Sequence, residues 1–307
     1  MNMLNAVPGF QVAAPGVITR RNYATAGYQR VLRGVYGRGP VTDQLDKWER
    51  RRAEFIWRVN AVMSVYAPTG AVLYGPTALQ VLGVELPTAL EDWDNVHILV
   101  PHGGSRGPRS GVVVHQARHP LVVWRVVHGV PVLHPVEHWL QLRGASDDHM
   151  VEVGDGFLRR RGPLLTVAEM GEKLARCSGW TGTKQARRVF PLLRARTDSL
   201  PETTVRLILV RAGLPTPAVN PEVYCPGVGI RFSVDMGYER ERIAVEYDGG
   251  VHGDNVEQMR QDALKRRVLQ DERWLVITVT APDLGRTSQI ANSVETALVM
   301  RRASMAR

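Results

Sequence analysis

Cysteine is nearly absent from the chain. Only Cys177 and Cys225 occur, in unrelated contexts, which excludes a disulfide framework and a cysteine-based zinc site. Long apolar runs are missing too: none reaches the ~18 residues that a membrane helix requires. The opening "MNMLNAVPGFQVAAPGVI" lacks a basic stretch followed by a long apolar one, so no leader is expected and a soluble, cytoplasmic protein is. There is no internal repeat and no low-complexity tract. Acid is the scarcer charge, 30 residues against 39 basic ones, for a net +9 and a pI near 10. That balance favours a polyanionic partner, DNA first among them. With 44% hydrophobic and 22% charged residues the composition is globular, and 307 residues are comfortable for two domains.

Hydrophobic period divides the chain. Residues 1–40 are short pieces broken by Gly and Pro, with a basic segment of strand character, "RVLRGVYGRG". Residues 42–66 read as a long helix, capped by Thr42 or Asp43, with Leu45, Trp48, Phe55, Val59 and Val62 as its stripe. A second helix begins at "GPTALQVLG", Pro76 in its first turn. Period two then takes over in "NVHILVP", "GVVVHQA" and "LVVWRVVHGVPV". Helical character returns near 135–145 and 149–161. The expected division is an α+β region over 1–150, a basic helical connector over 151–198 and a last domain over 199–307, with "ARTDSLP" as the boundary. In the last domain the order is α-β-β-β-α-β-α. It opens on the capping box of Ser199 and Glu202, and Asp254 with Glu257 caps its second helix.

The chemistry concentrates in two strands of that domain. In "GIRFSVDMG", Asp235 lies opposite the core residues of its strand. In "RIAVEYD", Glu246 and Asp248 share one face. The link "ERER" is short enough for a hairpin, and a symmetric hairpin sets Asp235 across from Glu246, with Cβ atoms roughly 4.5–5.5 Å apart. Like charges there repel unless a cation joins them. Mg²⁺ takes one or two carboxylates with water and phosphate oxygens, the arrangement of metal-assisted phosphodiester hydrolysis. Taken alone, such a strand end is an ordinary solvated edge.

Residues 199–303 resemble the PD-(D/E)XK phosphodiesterase superfamily, specifically its Vsr-like domains. The matching stretches are "PETTVRLILVRAGLP", "FSVDMGYERERIAVEYDGGVH", "QDALKRRVLQDERW" and "LVITVT". The resemblance implies a restriction-endonuclease-like αβββαβ core within an α/β (α+β) fold, and a Mg²⁺- or Mn²⁺-dependent DNA endonuclease. It places metal ligands at Asp235, Glu246 and Asp248, the helix glutamate at Glu202, and an assisting group at Lys265 or His252. The superfamily's lysine position holds Asp248, an acid that Vsr-like relatives share, so Lys265 is the candidate displaced base. Arg266 beside it is a candidate DNA contact. Glu202 also completes its capping box, and Asp262 with Lys265 also fits an i,i+3 surface ion pair.

The N-terminal fragments "RVLRGVYGRG", "VLYGPTALQVLGVELP", "VHILVP" and "GVPVLHPVEHWLQL" resemble AbiEi-type antitoxins and regulators. That resemblance implies a reduced winged-helix-like start and a DNA or toxin partner. Arg20, Arg21, Arg30, Arg33 and Arg38 are the candidate phosphate contacts. A second functional reading follows from it, a non-catalytic antitoxin-like transcriptional regulator whose nuclease fold only binds. "HPVEH", His134–His138, matches an inverted zincin pattern, but Pro135 pushes His134 off the helix that two zinc ligands would need.

Overall fold

Two compact units divide the chain: residues 1–144 with 176–184, and residues 145–175 with 185–307. The computed structural model describes residues 24, 27–32, 35–103, 107, 109–142, 144–249 and 256–306, with the backbone alone for 256–258. Arg20, Arg21, Arg33, His252, the Asp254–Glu257 cap and most of the expected winged-helix-like start lie outside these residues.

In the first unit β1 (Gln29–Leu32) pairs antiparallel with β2 (Val35–Gly37), so "RVLRGVYG" is a hairpin. The long helix α1 (Lys47–Tyr66) starts later than expected. Asp46, not Thr42 or Asp43, caps it: its carboxylate accepts from the Trp48 and Glu49 amides at 2.7 and 2.8 Å, and Glu49 accepts from the Asp46 amide at 3.1 Å. Phe55, Val59 and Val62 are buried, but Trp48 is 55% exposed, because the first turn projects beyond the core. Next come β3 (Val72–Leu73) and α2 (Gly75–Val81), with Pro76 in its first turn. β4 (Val96–Val100) and β5 (Val112–Gln116) run parallel, and the three strands form a sheet in the order β3-β4-β5. β6 (Arg125–Val127) and β7 (Val130–Val132) close a hairpin whose turn, His128–Gly129, holds both φ angles positive, at 48° and 80°. A short helix, α3 (Pro135–Trp139), follows.

The second unit begins with α4 (Asp147–Phe157), α5 (Val167–Arg176) and α6 (Thr183–Val189), whose ends at Arg176 and Thr183–Lys184 fall in the first unit. Most of 151–198, expected to be a connector, is therefore part of this unit. The reason is a buried ion pair: Asp155 on α4 accepts from Arg206 at 2.7 Å on α7 (Leu200–Arg211), with side chains 0% and 2% exposed. The Arg194 amide at 2.7 Å and the Thr203 hydroxyl at 3.0 Å complete the Asp155 shell. "ARTDSLP" is a turn inside the unit, with Thr197 buried.

Among the described residues five strands, not three, lie between α7 and the next helix. They are β8 (Ala218–Val219), β9 (Glu222–Cys225), β10 (Ile230–Ser233), β11 (Met236–Tyr238) and β12 (Ile243–Asp248). "GIRFSVDMG" is split at Val234–Asp235. Its first half pairs with β9 as a separate ribbon, and its second half joins the main sheet. With α8 (Val256–Asp271), β13 (Leu275–Thr280) and α9 (Thr287–Met305) the sheet order is β13-β12-β11-β8. β12 and β13 are parallel across the α8 crossover, and β11 is antiparallel to both of its neighbours. Helices α7 and α9 cover one face, packing Val205, Leu209 and Val294 on Ile243 and Val245. α8 covers the other, where Val268 and Leu269 meet Ala244 and Val234. The molecule is a mixed α+β protein, and among the described residues no helix is long and apolar enough to cross a membrane.

Candidate active site

The β11–β12 hairpin fixes the site. Its pairs are Met236 with Val245, Gly237 with Ala244 and Tyr238 with Ile243, linked through residues 239–242. One step beyond the last pair, Asp235 faces Glu246, the opposition that the symmetric link predicts. Gly237 lets the strand sit against Pro221, since a Cβ there would come within 2.8 Å of the proline ring. The Tyr247 amide donates to Asp235 Oδ2 at 2.7 Å, so the backbone of β12 orients that carboxylate. From α8, Lys265 Nζ donates to Glu246 Oε2 at 2.7 Å. Glu246 Oε1 is buried and has no hydrogen bond among the described residues.

Burial, and then the neighbouring Glu246 charge, pushes the Asp235 carboxyl up to about 6. Burial likewise raises Glu246, and Lys265 pulls it back. The pair opens onto a cavity of about 220 Å³ whose other charged walls, among the described residues, are Asp248, Asp262, Lys265 and Arg266. Asp248 lies on the exposed end of β12, and Arg266 is exposed on α8. The third acid therefore stands at the rim of a half-buried pair of carboxylates. Among the described residues no group of three or more His, Cys, Asp or Glu side chains is placed to hold a metal ion. The donor set suits a hard cation that keeps most of its water: two carboxylates, one of them with an unsatisfied buried oxygen.

Glu202 does not line the cavity. Its oxygens accept from Ser199 Oγ at 2.9 Å, the Asp198 amide at 3.0 Å and Asn220 Nδ2 at 2.9 Å. Ser199 caps the helix as expected, but the reciprocal half of the box goes to the Asp198 amide instead of Ser199's own. Glu202 still feels the site: burial and then the Asp235 charge raise its carboxyl.

Two proteins of Mycobacterium tuberculosis are similar to this chain, the uncharacterized protein MT2308 of strain CDC 1551 / Oshkosh and the uncharacterized protein Rv2248 of strain H37Rv. Each is 27% identical over 221 residues, 70% of this chain and 79% of the relative. No family model matches the chain, and no solved structure matches it.

Arg160 escapes a reading by sequence. In "RRR" it passes for a solvated helix end. In the fold its guanidinium is only 23% exposed, donates to Ser233 Oγ at 2.8 Å and pairs with Asp198. The hydrogen bond to Asp198 raises its pKa first, and the charges of Glu202 and Asp235 add to that. Nothing in local spacing announces a partner 73 residues away.

The remaining candidates lie elsewhere. Arg38 stacks over the Tyr28 ring at 5.3 Å, and Arg30 sits on β1, both in the first unit. His134 caps α3 with extended backbone, φ −61° and ψ 136°, so it is off the helix as Pro135 requires. His138 is fully buried and held down at about 3 by that burial. His97 bridges Asp92 at 2.9 Å and His115 at 3.1 Å across the parallel strands.

Proposed function

We propose that the second unit is a divalent-metal-dependent phosphodiesterase of the Vsr-like, restriction-endonuclease-like kind, acting on DNA. The buried, unsatisfied Glu246 Oε1 beside Asp235 carries this reading, because two neighbouring carboxylates with one ammonium between them keep a net negative charge that a bound cation would offset. Asp235 and Glu246 would hold Mg²⁺ or Mn²⁺, with Asp248 reaching in from the rim. Bound there, the ion supplies an acidified water and draws charge from the phosphate. Lys265 steadies Glu246 and presents its ammonium to the same cavity, where a phosphate oxygen would meet it. Arg266 offers a second phosphate contact. The cytoplasmic setting and DNA as partner belong to this reading and are supported by the net charge of +9 and the free thiols.

The test incubates the full chain with plasmid and single-stranded DNA and Mg²⁺ or Mn²⁺. Wild-type cleavage should fall by about 10²-fold or more in Asp235→Ala, the scale of losing preorganised charge stabilisation. Equal cleavage by both proteins sinks the proposal.

One observation favours a second reading, a non-catalytic antitoxin-like regulator with DNA or a toxin as partner. The Lys265 ammonium already neutralises Glu246. Calorimetry separates the two: Glu246-dependent Mn²⁺ uptake together with cleavage rejects the regulator.

A further inference from the structure

The bend that delivers Asp235 to the site is held from behind. Val234 and Asp235 lie between the ribbon strand β10 and the sheet strand β11. Their backbone leans on the turn at 220–221. The Val234 amide donates to the Pro221 carbonyl at 3.1 Å, and the Asn220 amide donates to the Asp235 carbonyl at 2.9 Å. Asn220 has a left-handed backbone, φ 45°, and is 2% exposed. Few residues other than glycine adopt that conformation, and asparagine is among those that tolerate it. Its side chain keeps it there: Nδ2 donates to the Arg196 carbonyl and to Glu202 Oε2, both at 2.9 Å.

Ser233, the last residue of β10, closes on the same side chain. Its hydroxyl donates to Asn220 Oδ1 at 3.4 Å and accepts from Arg160 at 2.8 Å. The other end of the Arg160 guanidinium pairs with Asp198, whose amide donates to Glu202 Oε2 at 3.0 Å. Arg160, Ser233, Asn220, Glu202 and Asp198 thus form a closed ring. Arg160 enters it from between α4 and α5, ahead of the αβββαβ order. Backbone bonds fix that entry: the Arg160 amide donates to the Thr197 carbonyl at 3.2 Å, and the Arg196 amide to the Leu158 carbonyl at 2.9 Å.

We propose, resting on the metal-site reading of Asp235, that Arg160 is a positioning residue for that carboxylate, acting through Ser233 and Asn220 on the bend between β10 and β11. A guanidinium is a planar fork. Here its two ends meet acceptors on separate elements, Ser233 on β10 and Asp198 ahead of α7, a span that one compact ammonium does not cover. The ring meets Asp235 at its backbone carbonyl and so sets where the side chain starts. The Tyr247 amide, on Oδ2, sets where it ends. A displacement of ~1 Å at a reacting group can cost about 10²-fold in rate, so both anchors matter to the chemistry. The segment ahead of α7 therefore completes the site that α7 to β13 frames.

Amide hydrogen exchange of the full chain in EDTA, read by NMR, tests this without any ion. In Arg160→Met the Tyr247 and Asn220 amides, which bond Asp235, should exchange about tenfold faster, the scale of one hydrogen bond. The Ile243 and Ala244 amides, farther along the same hairpin, should keep their rates. Mn²⁺ affinity of the same variant should fall about 10- to 100-fold, as it does when an outer partner of a metal ligand is removed. Unchanged Tyr247 and Asn220 rates in the folded variant overturn the proposal. So does equal acceleration at all four amides, which a loss of stability alone would give. Unchanged Mn²⁺ affinity in Arg160→Met, beside a wild type that binds the ion, overturns it as well. A wild type that takes up no Mn²⁺ sinks the metal site instead, and the exchange rates still decide whether Arg160 positions Asp235. If Arg160→Met does not fold, Ser233→Ala breaks the ring at its next member and carries the same test.

Discussion

At Asp235 two demands conflict. The residue is half-buried beside Glu246, which favours its protonated form, yet a metal ligand must be ionised. Its folded carboxyl titrates near 6 against an ordinary 3.8, so between those values the folded state keeps a proton that the unfolded state has lost. Stability without metal therefore falls as pH rises from about 4 through about 6. Asp235→Asn should remove that loss and stabilise the metal-free protein at pH 7.5 by up to about 3 kcal/mol, from roughly 1.4 kcal/mol per pKa unit. Thermal denaturation in EDTA at pH 5 and pH 7.5 checks the sign. Mn²⁺ affinity should run the other way, dropping about tenfold per pH unit below 6 and levelling above it, because one proton must leave for the ion to enter. The opposition of Asp235 and Glu246 was legible because period two and a short link together fix a register. Arg160 was not, because its partners are brought to it by tertiary structure alone.

One pair of helices in the second unit, α4 and α7, is joined by a buried ion pair as well as by apolar packing. Asp155 and Arg206 are both essentially inaccessible, and each of the two Asp155 oxygens has a donor. Removing one partner strands the other charge. Asp155→Ala should therefore cost about 3–5 kcal/mol in chemical denaturation, whereas Asp155→Leu combined with Arg206→Met should cost much less. The double-mutant cycle reads the coupling directly. Caps behave more modestly: Asp46→Ala at the start of α1 should cost about 1 kcal/mol. Elements were readable where one signal decided them. Pro76 and the Ser199 cap set helix starts correctly, and "IAVEYD" is a strand throughout, with Arg242 in the turn before it. Where two signals competed, contacts beyond the pattern itself chose, some local and some tertiary. Thr42, Asp43 and Asp46 could each cap α1, and Asp46 won because Glu49 reciprocates. The alternation in "GIRFSVDMG" runs unbroken, yet the chain bends at Asp235 so that the Asp235 carbonyl meets the Asn220 amide and the Val234 amide meets the Pro221 carbonyl. The division at 150 and 198 followed polarity and turn residues. Those signals cannot register that a basic stretch has buried one aspartate against a helix 51 residues on.

For the whole molecule the charges are unevenly useful. The chain carries +9, but among the described residues the cavity that would receive a phosphodiester is walled by Asp235, Glu246, Asp248 and Asp262 against Lys265 and Arg266. Without a cation that cavity repels the phosphate backbone even though the protein as a whole attracts it. DNA affinity should therefore depend on a divalent ion before any cleavage occurs. Ca²⁺, which satisfies carboxylates but supports hydrolysis poorly, should tighten DNA binding relative to EDTA, and Glu246→Ala should abolish that gain. The logarithm of the binding constant should fall linearly with the logarithm of salt, and Arg266→Ala should reduce the slope by about one through the loss of one phosphate contact. Fluorescence anisotropy with a labelled duplex, titrated in NaCl with Ca²⁺ and with EDTA, measures both quantities. If binding is equally tight in the two, the acid cavity does not receive the phosphate and the basic surface alone accounts for affinity. The Ca²⁺ gain and its loss in Glu246→Ala would instead tie the net charge to the site, with long-range attraction delivering DNA to a cavity that only the cation makes hospitable.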